Sequence, residues 1–418
     1  MVNIPKGTKD TLPNESYKNL FLEELIRDVA KLFGFKEIRT PTFEYTELFL
    51  RGIGNGSDIV NKEMYTFLDK GQRSLTLRPE GTAGVVRSYI ENNLSSLGFP
   101  LRMYYISPAF RYERPQAGRL REHHQFGCEL YGSFSPYADA EIIQLLSTFF
   151  NRLGIKDVVL NINSIGCKKC RSNYTKALIL YLKNIEDKLC NVCKDRLIKN
   201  PLRILDCKEE VCVSEVKNAP KTIDYLCSDC LQHHNSLSEI LTSENIPFVV
   251  NPHIVRGLDY YTRTVFEFIS SSIGAQGTVC GGGRYDDLVE EMGGGKTPAV
   301  GFGIGLERLL MVCESANIDL GEIEKPLVYL APIGDEAQKL SNHITSMLKK
   351  KGLKAETDII GRSLKAQMKY ADKIGARYVI VIGDDEISSN IVKLKEMSSG
   401  GETSLPIDDL FNFLLKNQ

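Results

Sequence analysis

The sequence predicts a multidomain chain of mixed helices and strands, and three observations carry that reading. Two extended segments, Leu101–Glu113 and Glu122–Tyr131, are joined by a polar loop and read as a long hairpin with a basic tip. Between Cys167 and Cys230 the texture changes: cysteines and lysines cluster and helical patterns shorten, as in an inserted segment. After Pro326, strand and helix patterns alternate at short spacing, which predicts a small α/β domain of about 90 residues.

Each element follows in order. Tyr17, Leu20, Phe21, Leu25, Val29, Leu32 and Phe33 recur at helical spacing from Asn14 to about Phe33, and Gly34 is a natural stop. Phe35–Thr40 reads as a short strand ended by Pro41. A Gly-rich loop (RGIGNGSD) precedes a strand in RSLTL, then RPEGT, then a helix over Ala83–Ile90. Past the cysteines, NPHIVRGLDYYTRTVFEF resumes as strands. GTVCGGGRYDDLVEEMGG reads as strand, turn and helix, and PAVGFGIGLERLLMVCE as a strand running into a helix. IEKPLV is a linker. The last domain reads LVYLAPIG (strand), Ala337–Lys350 (helix), Lys354–Glu356 (strand), Ser363–Ile374 (helix) and Tyr378–Ile382 (strand). There is no internal repeat and no low-complexity tract.

Composition narrows the function class. Lys and Arg total 52 against 53 Asp and Glu, which excludes a generally basic nucleic-acid coat while leaving room for a local basic groove. No apolar run is long enough to span a membrane, and the first residues lack the apolar stretch of a secretory signal. The expected compartment is therefore the reducing cytosol, where the 11 cysteines suggest metal binding before disulfides.

Polar chemistry concentrates on the hairpin. Side chains alternate across a strand, so Gln125, Gly127 and Glu129 share one face, and Arg111 and Glu113 share a face of the partner strand. A solvated sheet face carries such a pattern, and so does a recognition surface for a small zwitterion or nucleotide. Arg111, Arg114, Arg119 and Arg121 flank one turn, and arginine forks bind phosphate bidentately, which favours recognition. The glycine-rich stretches CGGGRYDD, EMGGGK and GFGIGLER match neither GxxxxGK[ST] nor GxGxxG. In GFGIGLER the glycines suggest close backbone approach just before a helix bearing Glu307 and Arg308. The charged turn RGLD places Arg256, Asp259, Tyr260 and Tyr261 at a strand entrance, a further candidate site.

Taken together, Arg78-Pro79-Glu80-Gly81-Thr82, FRYERPQAGRLREHHQFGCE, VRGLDYYTRTVFEF and TPAVGFGIGLERL resemble the histidyl-tRNA synthetase family, with three class II motifs in order and two histidine motifs. The resemblance covers nearly the whole chain. It implies an α+β catalytic domain on an antiparallel sheet (residues 1–165 and 251–323), interrupted by a Cys-rich insertion (166–250). A C-terminal α/β anticodon-binding domain (326–418) follows.

The resemblance also implies roles. Arg111 grips the α-phosphate of ATP and the substrate carboxylate, with Arg256 facing it, two cations beside a phosphorus that gains negative charge. Glu113 holds the adenine amino group, Arg119 and Arg121 reach the outer phosphates, and Arg308 stacks on adenine and meets the γ-phosphate. Glu80, Thr82 and Gln125 contact the α-ammonium of histidine. Glu129 and Tyr261 contact the two imidazole nitrogens, with Gly81 and Tyr260 completing the histidine site. His123 stands where family members often carry a phenylalanine stacked on adenine. The implied reaction forms histidyl-adenylate from L-histidine and ATP with Mg²⁺, then charges tRNA(His), in a cytoplasmic homodimer.

Cys167/Cys170, Cys190/Cys193 and Cys227/Cys230 are CxxC pairs, with Cys207 and Cys212 between them. Their spacing resembles that of structural zinc ribbons, and buried free thiols are the alternative. Cys128 and Cys280 read as core residues, and His123-His124 and His233-His234 as solvated surface before metal ligands. Lys365, Lys369 and Lys373 form a basic stripe at helical spacing, either an RNA contact or a solvated face. Two rival functions share the resemblance: a non-catalytic regulatory subunit of ATP phosphoribosyltransferase, and a sensor of uncharged tRNA. The first typically lacks the C-terminal domain and the second rides on a kinase, of which no motif is present.

Overall fold

The computed structural model describes residues 2–54, 57, 59–205, 207, 209–254, 257–272 and 277–417. The chain divides into two compact units, Met1–Gly321 and Glu322–Gln418.

The first unit opens with α1 (Ser16–Leu32), whose Leu22, Ile26, Val29 and Ala30 fall three or four apart and are all buried. Gly34, at φ 73°, ends it in the left-handed conformation. The strand expected over Phe35–Thr40 is only β1 (Lys36–Glu37). Ile38 N–H still donates to Tyr104, but the chain then leaves the sheet towards Pro41. β2 (Phe43–Tyr45), α2 (Thr46–Ile53), β3 (Tyr65–Leu68) and β4 (Ser74–Leu77) follow, the strands forming a small antiparallel sheet in the order β2-β4-β3. α3 (Thr82–Glu91) starts directly after RPEG.

β5 (Leu101–Phe110) and β6 (Glu122–Tyr131) pair over ten residues each as the expected hairpin. The first strand stops earlier than its sequence pattern suggests, so Arg111 and Glu113 lie past its end rather than on its face. The cause is local: Arg111 N–H donates to Arg121, and Tyr112 N–H turns aside to the Glu63 carbonyl at 2.7 Å. α4 (Pro136–Leu153) comes next, a helix missing from the sequence reading although its signals were there. Ser135 caps it, Pro136 occupies its first turn, and Gly154 ends it at φ 83°.

β7 (Val158–Ser164) leads into the cysteine-rich helices α5 (Lys168–Lys183), α6 (Asn191–Lys199), α7 (Glu210–Val216) and α8 (Ser228–Ser243). Tyr174 to Ala219 bury a small core of their own, whereas Leu237 and Leu241 of α8 belong to the main core. β8 (Phe248–Val250), β9 (Thr262–Ser270), β10 (Thr278–Arg284), α9 (Leu288–Glu291), β11 (Ala299–Gly305) and α10 (Leu306–Ser315) complete the unit. The large sheet runs β1-β5-β6-β11-β10-β9-β7-β8. It is antiparallel except at its two edges, where β1 lies parallel to β5 and β8 to β7. Its central strands lie between two apolar clusters, one with α1, α4, α8 and α10, the other with α3 and α9.

A buried ion network pins β10 to α4. Arg284, 0% exposed, donates to Asp139 and Asp286 at 2.8 Å each and to the carbonyls of Ser133 and Ser135. Full pairing of this kind is what makes a buried guanidinium tolerable. His233 lies 3.3 Å from Asp139, and both His233 and His234 are buried, which corrects the surface reading of that pair. Cys128 and Cys280 are core residues as expected.

The second unit contains β12 (Val328–Pro332), α11 (Asp335–Lys350), β13 (Ala355–Thr357), α12 (Leu364–Lys373) and β14 (Tyr378–Ile382), a parallel βαβ arrangement as expected. α13 (Asp384–Ser389), the antiparallel strands β15 (Ile391–Glu396) and β16 (Glu402–Pro406), and α14 (Leu410–Lys416) extend it beyond the sequence reading. Val392 and Leu394 are buried while Ile391 and Lys393 are exposed, an alternation visible in the sequence. Lys365, Lys369 and Lys373 are exposed on α12. Among the described residues no helix is long and apolar enough to cross a membrane.

Candidate active site

A cavity of 220 Å³ opens in the first unit and is lined by Glu80, Thr82, Arg111, Arg119, Gln125, Tyr260, Tyr261 and Arg308, all singled out from the sequence. Tyr105, Tyr285 and His123 line it as well. Glu113 and Arg121 do not, and Arg256 lies outside the described residues.

One end is built on α3 and β6. The Glu80 carboxylate accepts the N–H groups of Thr82 and Ala83, both at 2.8 Å, and so caps the first turn of α3. Burial raises its pKa against those bonds. Gln125 accepts the Gly81 N–H through its side-chain oxygen at 3.1 Å. Glu129, 1% exposed, lies beneath this floor and accepts hydrogen bonds from the hydroxyls of Thr82 (2.8 Å), Tyr105 (3.4 Å) and Tyr285. Burial pushes its pKa up to about 8, against the bonds from Tyr285 and Thr82.

Three of the glycines explain how so much polar chemistry fits. The Tyr105 ring lies between Gly81 and Gly127, and a Cβ at either would fall 2.2 or 2.3 Å from a ring carbon. In β11, a Cβ on Gly301 would strike the Glu129 carboxylate, its neighbour across the strand pair. The glycines of GFGIG therefore admit side chains from β6, a different role from the backbone approach before a helix that the sequence suggested.

The other end is cationic. Arg111 is held by the Pro79 carbonyl at 2.8 Å and Arg308 by the Thr278 carbonyl at 2.7 Å. Arg119 reaches the cavity while paired with Glu113 at 3.1 Å. Arg121 turns away, stacks on Tyr112 and donates to the carbonyls of Glu113 and Lys6. His123 is held down at about 4 by burial and by the Arg111 guanidinium, so it is neutral at physiological pH. Its neighbour His124, with its side chain 45% exposed, is tied to Glu307 at 3.0 Å, which raises its pKa.

Tyr105 and Tyr285 were not found from the sequence. Tyr105 shares the β5 face with no charged residue near it in sequence, and Tyr285 reads as one half of an RYDD turn. Only the strand register brings both hydroxyls to Glu129.

Away from the cavity, eight cysteines converge in two groups of four. Sγ atoms of Cys167, Cys170, Cys227 and Cys230 lie within 4.8 Å of one another, and so do those of Cys190, Cys193, Cys207 and Cys212. All eleven cysteines are free thiols. Each CxxC begins at the residue that caps a helix N-terminus: Cys167 for α5, Cys190 for α6 and Cys227 for α8. At Cys167 and Cys190, N–H groups of the first turn favour the thiolate. Burial works against ionisation of Cys167, yet the N–H groups of Cys170 and Lys169 lower its pKa to about 7.

Comparison with known proteins agrees with this geometry. A family model described as histidyl-tRNA synthetase matches residues 7–169 and 199–309, and one described as an anticodon binding domain matches residues 327–417. The chain is 55% identical to a histidine–tRNA ligase of Acetivibrio thermocellus, over 99% of both chains. Identity is 52% to that of Caldanaerobacter subterraneus subsp. tengcongensis, over 98% of both. Among solved structures, apo histidyl-tRNA synthetase of S. aureus superimposes with a TM-score of 0.84 at 36% identity, covering 99% of this chain and 100% of the other.

Proposed function

The chain belongs to the histidyl-tRNA synthetase family, and from that premise we propose how its cavity is used. The chain is a histidine–tRNA ligase, an aminoacyl-tRNA ligase whose substrates are histidine, ATP and tRNA, with Mg²⁺ accompanying ATP. The anticodon-binding unit and near-complete coverage of such ligases disfavour the regulatory-subunit and sensor alternatives.

The assignment of residues is the proposal, and one observation carries it: a single cavity has a carboxylate and hydroxyl end and an arginine end. Histidine lies at the first. Its ammonium meets Glu80, Thr82 and Gln125 beside Gly81, and its imidazole meets Tyr261 and the buried Glu129, with Tyr260 in the wall. Tyr105 and Tyr285 hold Glu129 in place. ATP lies at the second end, with its α-phosphate between Arg111 and Arg256 and its adenine on Arg308 and neutral His123. Attack by the histidine carboxylate builds negative charge at that phosphorus, where fixed guanidinium groups stabilise it. Arg119, paired with Glu113, swings to the outer phosphates and frees Glu113 for the adenine amino group. Arg121 reaches the phosphates only after leaving Tyr112.

The enzyme is proposed to act as a cytoplasmic homodimer, with catalytic segments 1–165 and 251–323, an insertion at 166–250 holding structural zinc, and an anticodon-binding domain at 326–418. Histidine-dependent exchange of pyrophosphate into ATP tests the assignment. Arg111→Ala should lower the exchange rate by about 10²–10³-fold, the usual loss when one preorganised donor is removed from a developing charge. A near-normal rate would remove Arg111 from the mechanism.

A further inference from the structure

The three CxxC pairs and two lone cysteines do not form one site. They sort by topology: the first pair joins the third, from opposite ends of the insertion, and the middle pair joins Cys207 and Cys212 inside it. A tetrahedral zinc ion with bonds to sulfur of about 2.3 Å holds its ligands roughly 3.8 Å apart. Cys167 and Cys170 Sγ are 3.6 Å apart, and Cys190 and Cys207 Sγ are 4.0 Å apart. Both spacings fit a shared ion and are too long for a disulfide of about 2.05 Å. Each group also has a backbone donor aimed at a sulfur: Cys227 N–H to Cys170 Sγ at 3.1 Å, and Cys190 N–H to Cys212 Sγ at 3.3 Å. Such donors orient and stabilise metal-bound thiolates.

The outer group has a second property. It sits at the first turn of α5, and the next residue after Cys170 is Arg171. Its guanidinium donates to the Asp259 carbonyl at 3.2 Å and to the Tyr261 carbonyl. Gly166, just before Cys167, accepts the Arg263 N–H at 2.9 Å. The segment thus gripped, 259–263, carries Tyr260 and Tyr261 into the cavity wall. The inner group makes a lighter contact with the same segment, through Asn200 to the Asp259 side chain at 3.3 Å.

We propose that the insertion holds two separate structural zinc ions, one on each group of four cysteines, and that the outer ion fixes α5 so that Arg171 positions the Tyr260–Tyr261 wall. Both ions have four thiolate ligands and no open position, so they take no part in the chemistry. Arg171 touches no substrate and is a positioning residue. The second half of the proposal rests on the reading of this wall as part of the histidine site.

Zinc content of the untagged full-length protein is the first measurement, with two ions per chain expected. Cys170→Ser/Cys230→Ser should remove one, and Cys193→Ser/Cys212→Ser the other. Refilling with Co²⁺ should give thiolate-to-cobalt absorption at both sites. Pyrophosphate exchange is the second measurement. Arg171→Ala should raise the KM for histidine about tenfold through misplacement of the wall, with the KM for ATP little changed. Arg171→Lys should recover part of that loss, and the outer cysteine variant should share the histidine-selective signature while the inner one does not. A chain with fewer than two zinc ions overturns the first half, even where a cysteine variant fails to fold, because it is measured on the unaltered protein. Equal effects of Arg171→Ala on both substrates overturn the second half. Two zinc ions in a chain without histidine-dependent exchange would instead sink the ligase assignment and leave the metal sites standing.

Discussion

The Thr82 hydroxyl donates to Glu129 across 2.8 Å and ties the first turn of α3 to the middle of β6. With the Tyr105 and Tyr285 hydroxyls, three donors at that end of the cavity converge on one buried carboxyl, whose pKa burial raises to about 8.

The first prediction follows from that shift. A histidine side chain that donates to Glu129 needs the carboxylate, and below about pH 8 the proton must first be lost, at a cost of up to about tenfold in affinity per pH unit. The histidine KM should fall several-fold between about pH 7 and about pH 8.5 while the ATP KM stays level. Glu129→Gln should raise the histidine KM and flatten this profile. The folded carboxyl also holds its proton more tightly than the unfolded chain does. Its contribution to stability is thus fully present below the unfolded pKa of about 4.3 and is lost as pH rises through about 8. A wild-type histidine KM that ignores pH would place Glu129 outside the substrate site.

Gly127→Ala tests the Tyr105 slot. The new Cβ would lie 2.3 Å from the Tyr105 ring, while β6 is held by strands on both sides and cannot retreat. Tyr105 must move, loosening its bond to Glu129. Overpacking of this kind costs about 1–3 kcal/mol, read as a lower unfolding midpoint, and the histidine KM should rise with it. Gly295→Ala, with open space around the added carbon, is the control and should be neutral. Equal behaviour of the two variants would show that the slot is not tight.

His123 offers a test at the other end. The side chain is neutral because burial and Arg111 hold its pKa at about 4, so it can present a flat ring to adenine. Stacking of a base on an aromatic ring contributes about 1–3 kcal/mol. His123→Phe should therefore leave the ATP KM within about threefold, and His123→Ala should raise it about tenfold or more. An alanine variant with an unchanged ATP KM would mean that His123 only lines the wall.

These residues also show what the sequence reveals and what it withholds. Alternation along the hairpin makes Gln125 and Glu129 visible in the sequence, whereas Glu80 is marked only by the resemblance that RPEGT carries. Arg111 stands out among the arginines that flank one turn, whereas Arg308 at a helix start fits a pairing with a nearby acid as well as a nucleotide contact. Tyr285 is invisible because its partner Glu129 is 156 residues away and reached only through the order of the sheet. Arg171 is hidden for a similar reason, since its acceptors are backbone carbonyls that leave no trace in residue type. The cysteines lie between these cases. Spacing announces metal ligands, but the partition into two groups of four depends on how α5 and α8 fold back on each other. Arg121 looks in sequence like its neighbours in the basic tip, and its stacking on Tyr112 and its bonds to the Glu113 and Lys6 carbonyls set it apart.

The last prediction separates the two units. All residues lining the cavity fall between Ile59 and Arg308, before the division at Gly321, and the second unit buries a core of its own around Val328, Leu330 and Ile380. Ending the chain after Gly321 should leave histidine-dependent exchange within about threefold of the full enzyme, since no cavity contact is lost. Charging of tRNA should fall by at least about a hundredfold, because specific base contacts contribute about 1–3 kcal/mol each and an anticodon-binding unit supplies several. The exposed stripe Lys365, Lys369 and Lys373 refines the test. If it meets phosphates, neutralising all three in the full chain should weaken charging and reduce its salt dependence together. If it is only a solvated face, neither changes, and the anticodon contacts lie elsewhere on the unit. Truncated protein that charges tRNA normally, with the same dependence on anticodon sequence, would remove the second unit from tRNA recognition.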